Sequence, residues 1–291
     1  MAASVTEHQL QEGLTLQLTP EAEEKQGLGL WTLGLAAAHW ASSLEGRREL
    51  AGRRVLELGS GVGLAGLACG AAAAEVTLTD YDDEVLDKLR SHVELNSSRL
   101  PAVKFRVARL DWDWVPSPAG TATEPEPEPE PEPELAAGVL GTPPRRFDVV
   151  LGADVCYSGM ASVPDLFGGF ESEDGDDDDC GAAASPRAWD NSANVAQTLA
   201  WCMARPNGVA HLFVHEGRSP DEVERFVERA AELGMVLEAR EPLQLHSTAA
   251  AVAEAEEEAE SAESSKSNKC MHDYTMEEGL VRLVVCWRDS S

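Results

Sequence analysis

The run Val55-Leu56-Glu57-Leu58-Gly59-Ser60-Gly61-Val62-Gly63-Leu64 constrains the fold more than any other part of this chain. An apolar, strand-like stretch runs into three glycines at alternate positions, and a small-residue helical pattern follows at once. Glycines are needed where backbone must approach a ligand with no Cβ in the way. The spacing is G-x-G-x-G. A dinucleotide fingerprint, G-x-G-x-x-G/A, would require Gly or Ala where Leu64 stands, so a pyrophosphate is poorly served here. Taken by itself the run also suits a tight strand-to-helix turn that binds nothing.

The surrounding pattern places this turn in a larger frame. Apolar, β-rich runs at 53–58, 75–79, 103–108, 147–152 and 209–215 alternate with helical patterns at 64–74, 83–96, 193–203 and 220–233. Such alternation predicts a mostly parallel sheet with crossover helices. A further helix is expected at 28–44, with Trp31, Leu35 and Ala38/His39 on one face. Two final strands, 235–241 and 280–287, are joined by a polar segment without a helical pattern, so they should pair antiparallel. The expected fold class is α/β, a Rossmann-like sheet of seven strands, mostly parallel with one antiparallel edge strand, and helices on both faces. Residues 1–26 form an N-terminal extension and 27–291 one domain. That architecture alone does not select a chemistry.

Several polar residues fall where such a sheet binds ligands, at the carboxyl ends of its strands. Asp80 stands at the tip of the second strand, where an ionised carboxylate can accept both hydroxyls of a ribose; a helix N-cap is the alternative, although Asp82 and Asp83 suit that role better. Leu110-Asp111-Trp112 follows the third strand, with Asp111 placed to accept from a base amino group and Trp112 to cover its ring, or else to serve as a turn acid and a packed aromatic. Asp154-Val155-Cys156-Tyr157 follows the fourth strand, where a carboxylate and a phenol would face the reacting group; a capping Asp and a packed Tyr are the plain alternative. Trp31 either walls a pocket or packs in the core. The histidines His39, His92, His211 and His215 form no relay or ligand spacing, and no metal site is expected.

Charge limits the partners. With 23 Lys and Arg against 52 Asp and Glu, the net charge is −29, and 19 of the acids lie in three tracts within 116–144, 171–187 and 247–269. The first contains a Glu-Pro repeat. None has a core pattern, and all three are expected to be disordered inserts, either spacers or docking sites for basic partners. Nucleic-acid binding, which needs clustered Lys and Arg, is not expected. A basic protein surface suits the field better. The six cysteines make no C-x-x-C and several sit in apolar runs, as expected in a reducing compartment. With no signal-like segment in the first 24 residues and no membrane-spanning run, the reading is a cytoplasmic protein, or a nuclear one, acting as a monomer.

Together these motifs resemble methyltransferase family 16, seven-β-strand enzymes among which many are protein lysine methyltransferases. The resemblance rests on Trp31, Leu-Glu-Leu-Gly-Ser-Gly-Val-Gly at 56–63, Leu-Thr-Asp at 78–80, Leu-Asp-Trp at 110–112, and Leu-Gly-Ala-Asp-Val-Cys-Tyr at 151–157, the last matching the family's D-x-x-Y signature. It spans about 27 to 287 apart from the inserts, which are not part of the family pattern. It implies S-adenosyl-L-methionine as cofactor, a ligand without phosphate that does not need the third small residue. Glu57, Gly59, Gly61, Gly63, Asp80, Asp111 and Ala153 would bind it with Trp31 and Trp112 beside it, and Asp154 and Tyr157 would face the acceptor, a lysine side chain of another protein. Other readings of the same motifs are a small-molecule methyltransferase and a cofactor-binding scaffold without catalysis. The acceptor protein and the number of methyl groups are not carried over by the resemblance.

Overall fold

The computed structural model describes residues 5–19, 29–112, 146–156, 158–159, 189–216, 220–243 and 279–288. The three expected inserts and Tyr157 lie outside the described residues.

In chain order the elements are strands β1 (Thr6–Gln9) and β2 (Thr15–Leu18), helices α1 (Thr32–Ser42) and α2 (Leu44–Leu50), β3 (Arg54–Leu58), α3 (Leu64–Cys69), β4 (Glu75–Asp80), α4 (Asp83–Asn96), β5 (Lys104–Arg109), β6 (Val149–Ala153), the two-residue strands β7 (Ser158–Gly159) and β8 (Trp189–Asp190), α5 (Ser192–Cys202), β9 (Val209–His215), α6 (Pro220–Glu232), β10 (Met235–Pro242) and β11 (Leu280–Trp287). Seven of the strands make one sheet in the order β10-β11-β9-β6-β3-β4-β5. The pairs β3–β4, β3–β6, β4–β5 and β6–β9 are parallel. The antiparallel strand lies at the β10 side, where β11 runs opposite to both β10 and β9.

The sheet buries both faces, which is why its strands read as apolar runs and not as alternating ones. On one face Val55, Val76, Leu78, Val149, Leu151 and Phe213 pack against α1, α3 and α4. On the other Leu56, Leu58, Val150, Leu212, Val214 and Leu283 pack against α5 and α6. The small residues of α3 let it lie against the strands: a Cβ on Gly66 would come within 2.1 Å of Leu78 Cδ2.

The structure differs from the sequence reading at three places. The helix expected at 28–44 is two helices that meet at Ser43, whose Oγ accepts from the Gly46 N–H at 3.1 Å and starts α2. Its buried face is Leu33, Ala36, Ala37, Trp40 and Ala41, and Trp31 stands outside it as the residue before α1, 49% exposed. The helix expected at 64–74 ends at Cys69, and residues 70–73 continue as turns; a Cβ on Gly70 would meet Phe105 at 2.6 Å. Within the N-terminal extension, β1 and β2 form a hairpin. Asn96 of α4 pins it: its Oδ1 accepts from the Gln17 N–H at 2.8 Å and its Nδ2 donates to the Gln17 carbonyl at 2.7 Å.

Candidate functional site

The sheet order creates the site. From β3 the chain proceeds outward to β4 and β5, and from β6 it proceeds the other way to β9. The carboxyl ends of the neighbouring strands β3 and β6 therefore bound a topological switch point, where open α/β sheets bind their ligands. The glycine turn leaves β3 there, and Asp154 leaves β6.

The turn itself is left-handed at Gly59 (φ 57), Gly61 (φ 51) and Gly63 (φ 83). At Gly63, which opens α3, a Cβ would also lie 2.5 Å from Leu89 Cδ2. At Gly59 a Cβ would lie 3.2 Å from the Trp112 ring and 3.6 Å from Val155 Cγ1. Three loops therefore converge on Gly59: its own, the one after β5 that carries Trp112, and the one after β6 that carries Val155. The Leu110 N–H donates to the Asp80 carbonyl at 2.9 Å, which holds the Asp111–Trp112 segment against the end of β4.

Asp80 is the hinge between β4 and the turn. Its Oδ2 accepts from the Gly61 N–H at 3.1 Å, and its Oδ1 from the N–H groups of Tyr81 at 2.8 Å and Asp82 at 3.3 Å. Burial pushes its carboxyl above the usual range, against the opposing pull of those three donors. The helix N-cap is Asp82, whose side chain accepts from Glu84 and Val85, so the capping alternative for Asp80 does not hold. Ser60 adds a second tie to β4: its N–H donates to the Thr79 carbonyl at 2.8 Å and its Oγ accepts from the Thr79 N–H at 3.0 Å.

Glu57 is fully buried beneath the turn. Burial pushes its carboxyl up to about 8, although the Ser60 hydroxyl and the Gly66 N–H favour the charged form. Its Oε2 has no hydrogen-bond partner among the described residues. A buried carboxyl oxygen left without a hydrogen bond is costly, and such an oxygen points to a partner that is not part of the chain.

Asp154 adopts φ 59, and its N–H donates to the Phe213 carbonyl at 2.9 Å. Asp and Asn tolerate this region better than other non-glycine residues. Val155 beside it is buried; a Cβ on Gly152 would meet it at 2.8 Å. The glycine at 152 thus makes room for Val155, and Val155 reaches Gly59. Ala153, the last residue of β6, is half-buried at the same edge. Among the described residues no group of three or more His, Cys, Asp and Glu side chains could hold a metal ion.

The structure therefore gathers Glu57, Gly59, Gly61, Gly63, Asp80, Asp111, Trp112, Ala153 and Asp154 at one end of the sheet. Trp31 is exposed, as the residue before α1. The sequence reading passed over Ser60, Gly152, Val155 and His92. Gly152 had a signal, because a glycine inside a strand marks a close approach. His92 had none. Buried in α4, it places Nδ1 at 2.8 Å from the Val62 carbonyl in the glycine turn and accepts at Nε2 from the Thr19 N–H at 3.1 Å.

Residues 10–122 match the family profile described as lysine methyltransferase, and the resemblance read from the motifs has this support. The match includes Glu57 to Trp112 and ends short of Asp154. The chain is 39% identical over 97 residues to the mouse protein-lysine N-methyltransferase EEF2KMT, covering 30% of this chain and 28% of that one. It is 39% identical over 64 residues to the Arabidopsis thaliana calmodulin-lysine N-methyltransferase, 21% of each. With mouse protein N-lysine methyltransferase METTL21A the identity is 30% over 132 residues, 43% of this chain and 50% of that one. The matched stretch spans half or less of the length of these relatives. Among solved structures, a Streptococcus mutans chain assigned to the SAM-dependent methyltransferases aligns with a TM-score of 0.54 at 10% identity, over 98% of this chain and 56% of that one, and shows the shared fold.

Proposed function

We propose that this chain is an S-adenosylmethionine-dependent methyltransferase whose acceptor is a lysine side chain of another protein. The observation that carries the reading is the convergence on Gly59: a left-handed glycine turn, the Trp112 ring across it, Asp80 bonded to Gly61 and an unpaired Glu57 oxygen below, all inside the stretch that matches the lysine methyltransferase family.

These residues fit the cofactor. Asp80 offers a carboxylate to ribose hydroxyls, Trp112 an aromatic face to the adenine, Asp111 an acceptor beside it, and Glu57 a carboxylate toward the amino-acid end. The site lacks the third small residue that a pyrophosphate requires, since Leu64 occupies that position and is buried. When bound, S-adenosylmethionine supplies a methyl group activated by a sulfonium. Trp31, exposed at the start of α1, serves as an outer wall.

For the acceptor, Asp154 is the orienting group. Its backbone is held by Phe213, and a carboxylate at this edge accepts a hydrogen bond from a neutral lysine amine and fixes its lone pair. A free lysine has a pKa of about 10.4, so it must lose a proton before it can act as a nucleophile. Alignment of the amine with the methyl group provides most of the acceleration. Tyr157 is assigned to the acceptor slot on its motif alone. The acidic tracts and the net charge of −29 suit a protein partner with a basic surface. The protein acts as a monomer in the cytoplasm, with the nucleus as the second location. No helix among the described residues is long and apolar enough to cross a membrane.

The test is incubation of the purified protein with radiolabelled S-adenosylmethionine and cell extract, beside Asp154→Ala. A labelled protein band that vanishes with the variant and yields methyl-lysine on digestion is the expected result. Cofactor binding without any labelled band, from protein or metabolite, would leave a scaffold and overturn the reading.

A further inference from the structure

The described residues include a buried polar side chain that hydrogen-bonds to both the N-terminal hairpin and the glycine turn. His92 is fully buried in α4. On one side its Nδ1 lies 2.8 Å from the carbonyl of Val62, between the second and third glycines of the turn. On the other its Nε2 lies 3.1 Å from the Thr19 backbone nitrogen and 3.0 Å from the Thr19 Oγ1, just past β2. A carbonyl can only accept and a backbone N–H can only donate. The imidazole is therefore neutral, with its proton on Nδ1. Burial keeps it so, lowering its affinity for a second proton.

We infer that His92 is a positioning residue for the glycine turn: its Nδ1–H holds the Val62 carbonyl, and Thr19 of the N-terminal hairpin holds the ring in that tautomer and orientation. The inference rests on the proposed cofactor site and extends it to the hairpin. The carbonyl of Val62 sits in a stretch where Gly61 and Gly63 are both left-handed and have no side chain to fix them. Asp80 and Ser60 secure the first half of the turn through Gly61 and Thr79. His92 secures the second half. The hairpin has its own anchors on Asn96 and, through the Gln11 N–H, on the Ser42 Oγ at 3.1 Å. Those anchors do not touch the turn; beside the apolar packing of Leu16 and Leu18 in the same core as Val62, His92 links hairpin docking to the cofactor loop by hydrogen bonds.

Three variants separate this role from mere packing. His92→Phe fills the space and removes both hydrogen bonds. His92→Asn retains a donor near the Nδ1 position and gives up the Thr19 bond. Asn96→Ala loosens the hairpin and removes the bond from Asn96 Nδ2 to the His92 backbone carbonyl, while leaving both bonds of the imidazole in place. Affinity for S-adenosylhomocysteine is measured by calorimetry, and hydrogen exchange is followed for peptides covering 6–18 and 59–67. A single turn-fixing hydrogen bond is worth roughly a tenfold change in affinity. His92→Phe should weaken binding about tenfold and speed exchange in both peptides. His92→Asn should recover affinity to within about threefold while the hairpin peptide still exchanges faster. Asn96→Ala should speed the hairpin peptide more than the turn. Wild-type affinity in His92→Phe, or His92→Asn as weak as His92→Phe, would overturn the inference. If the unaltered protein binds no S-adenosylhomocysteine, the functional reading falls; the positioning role then stands or falls on whether His92→Phe frees the turn peptide together with the hairpin.

Discussion

The indole of Trp112 lies across Gly59, so close that a single methyl group added at Gly59 would sit 3.2 Å from the ring. The contact brings the loop after β5 onto the loop after β3. It also leaves the glycine as the one residue type that suits both the left-handed backbone and the space beneath the indole. Gly59→Ala should lower cofactor affinity at least tenfold and cost the free protein about 1–2 kcal/mol. Calorimetry with S-adenosylhomocysteine and a denaturant titration read the two effects. An alanine variant that binds normally would show that the Trp112 contact has no part in the site.

Glu57 makes the stability of the free protein fall as pH rises from the acid range to about 8. Its carboxyl is raised by burial from the ordinary range to about 8. Between pH 4.5 and 8 the unfolded chain has released this proton and the folded chain keeps it, so its contribution to stability falls as pH rises through that window and is flat above it. Glu57→Gln carries no such charge. In thermal scans without cofactor, the variant should gain on the parent from pH 5 to 8 and level off above it, by an amount on the order of a few kcal/mol at the plateau. The same substitution should weaken cofactor binding. Parallel pH curves for the two proteins would contradict a carboxyl that burial keeps protonated in the folded chain.

Gly66 tests how closely α3 is seated. An added Cβ would fall 2.1 Å from Leu78 Cδ2 and 2.3 Å from Glu57 Oε2. Neither neighbour has room to retreat, because both are buried. Gly66→Ala should destabilise the protein by about 1–3 kcal/mol despite the better helix propensity of alanine. An increase in stability on denaturant titration would mean that the helix rides higher on the sheet.

Asp154 offers a separation of charge from backbone. Asparagine tolerates its left-handed conformation, whereas alanine does not suit it as well. Asp154→Asn should keep the fold and hold cofactor affinity within about threefold, while turnover on the acceptor falls by roughly a hundredfold or more. Asp154→Ala should add a modest loss of stability. Normal turnover with asparagine would remove the carboxylate from the chemistry and leave position 154 a conformational one.

Much of this arrangement was legible in the chain because its signals are local. The glycine turn declares itself between an apolar run and a small-residue helix, and seven strand-like runs became the seven strands of the sheet. What was hidden depends on partners distant in sequence. The hairpin at 6–18 is two strands of four residues, too short to be read from alternation, and it is fixed by Asn96, 79 residues beyond Gln17. His92 looks like any histidine on a helix until Val62 and Thr19 are seen on either side of it. The break between α1 and α2 had a local sign in Ser43 followed by Glu45, but the apolar spacing on both sides masked it. Trp31 was grouped with the packed face of α1 because its spacing fits; the helix starts one residue later, and the indole is left at the surface.

The place of β11 carries a consequence for how the molecule comes into being. β10 bonds to no other strand among the described residues except β11, and β11 lies between it and β9. During synthesis β10 emerges well before the strand that must separate it from β9. The growing polypeptide has to keep those two edges from meeting until 280–287 arrives to fill the gap. A translation product stopped anywhere between 243 and 279 would carry β9 as a naked border, ready to pair with a neighbouring nascent chain.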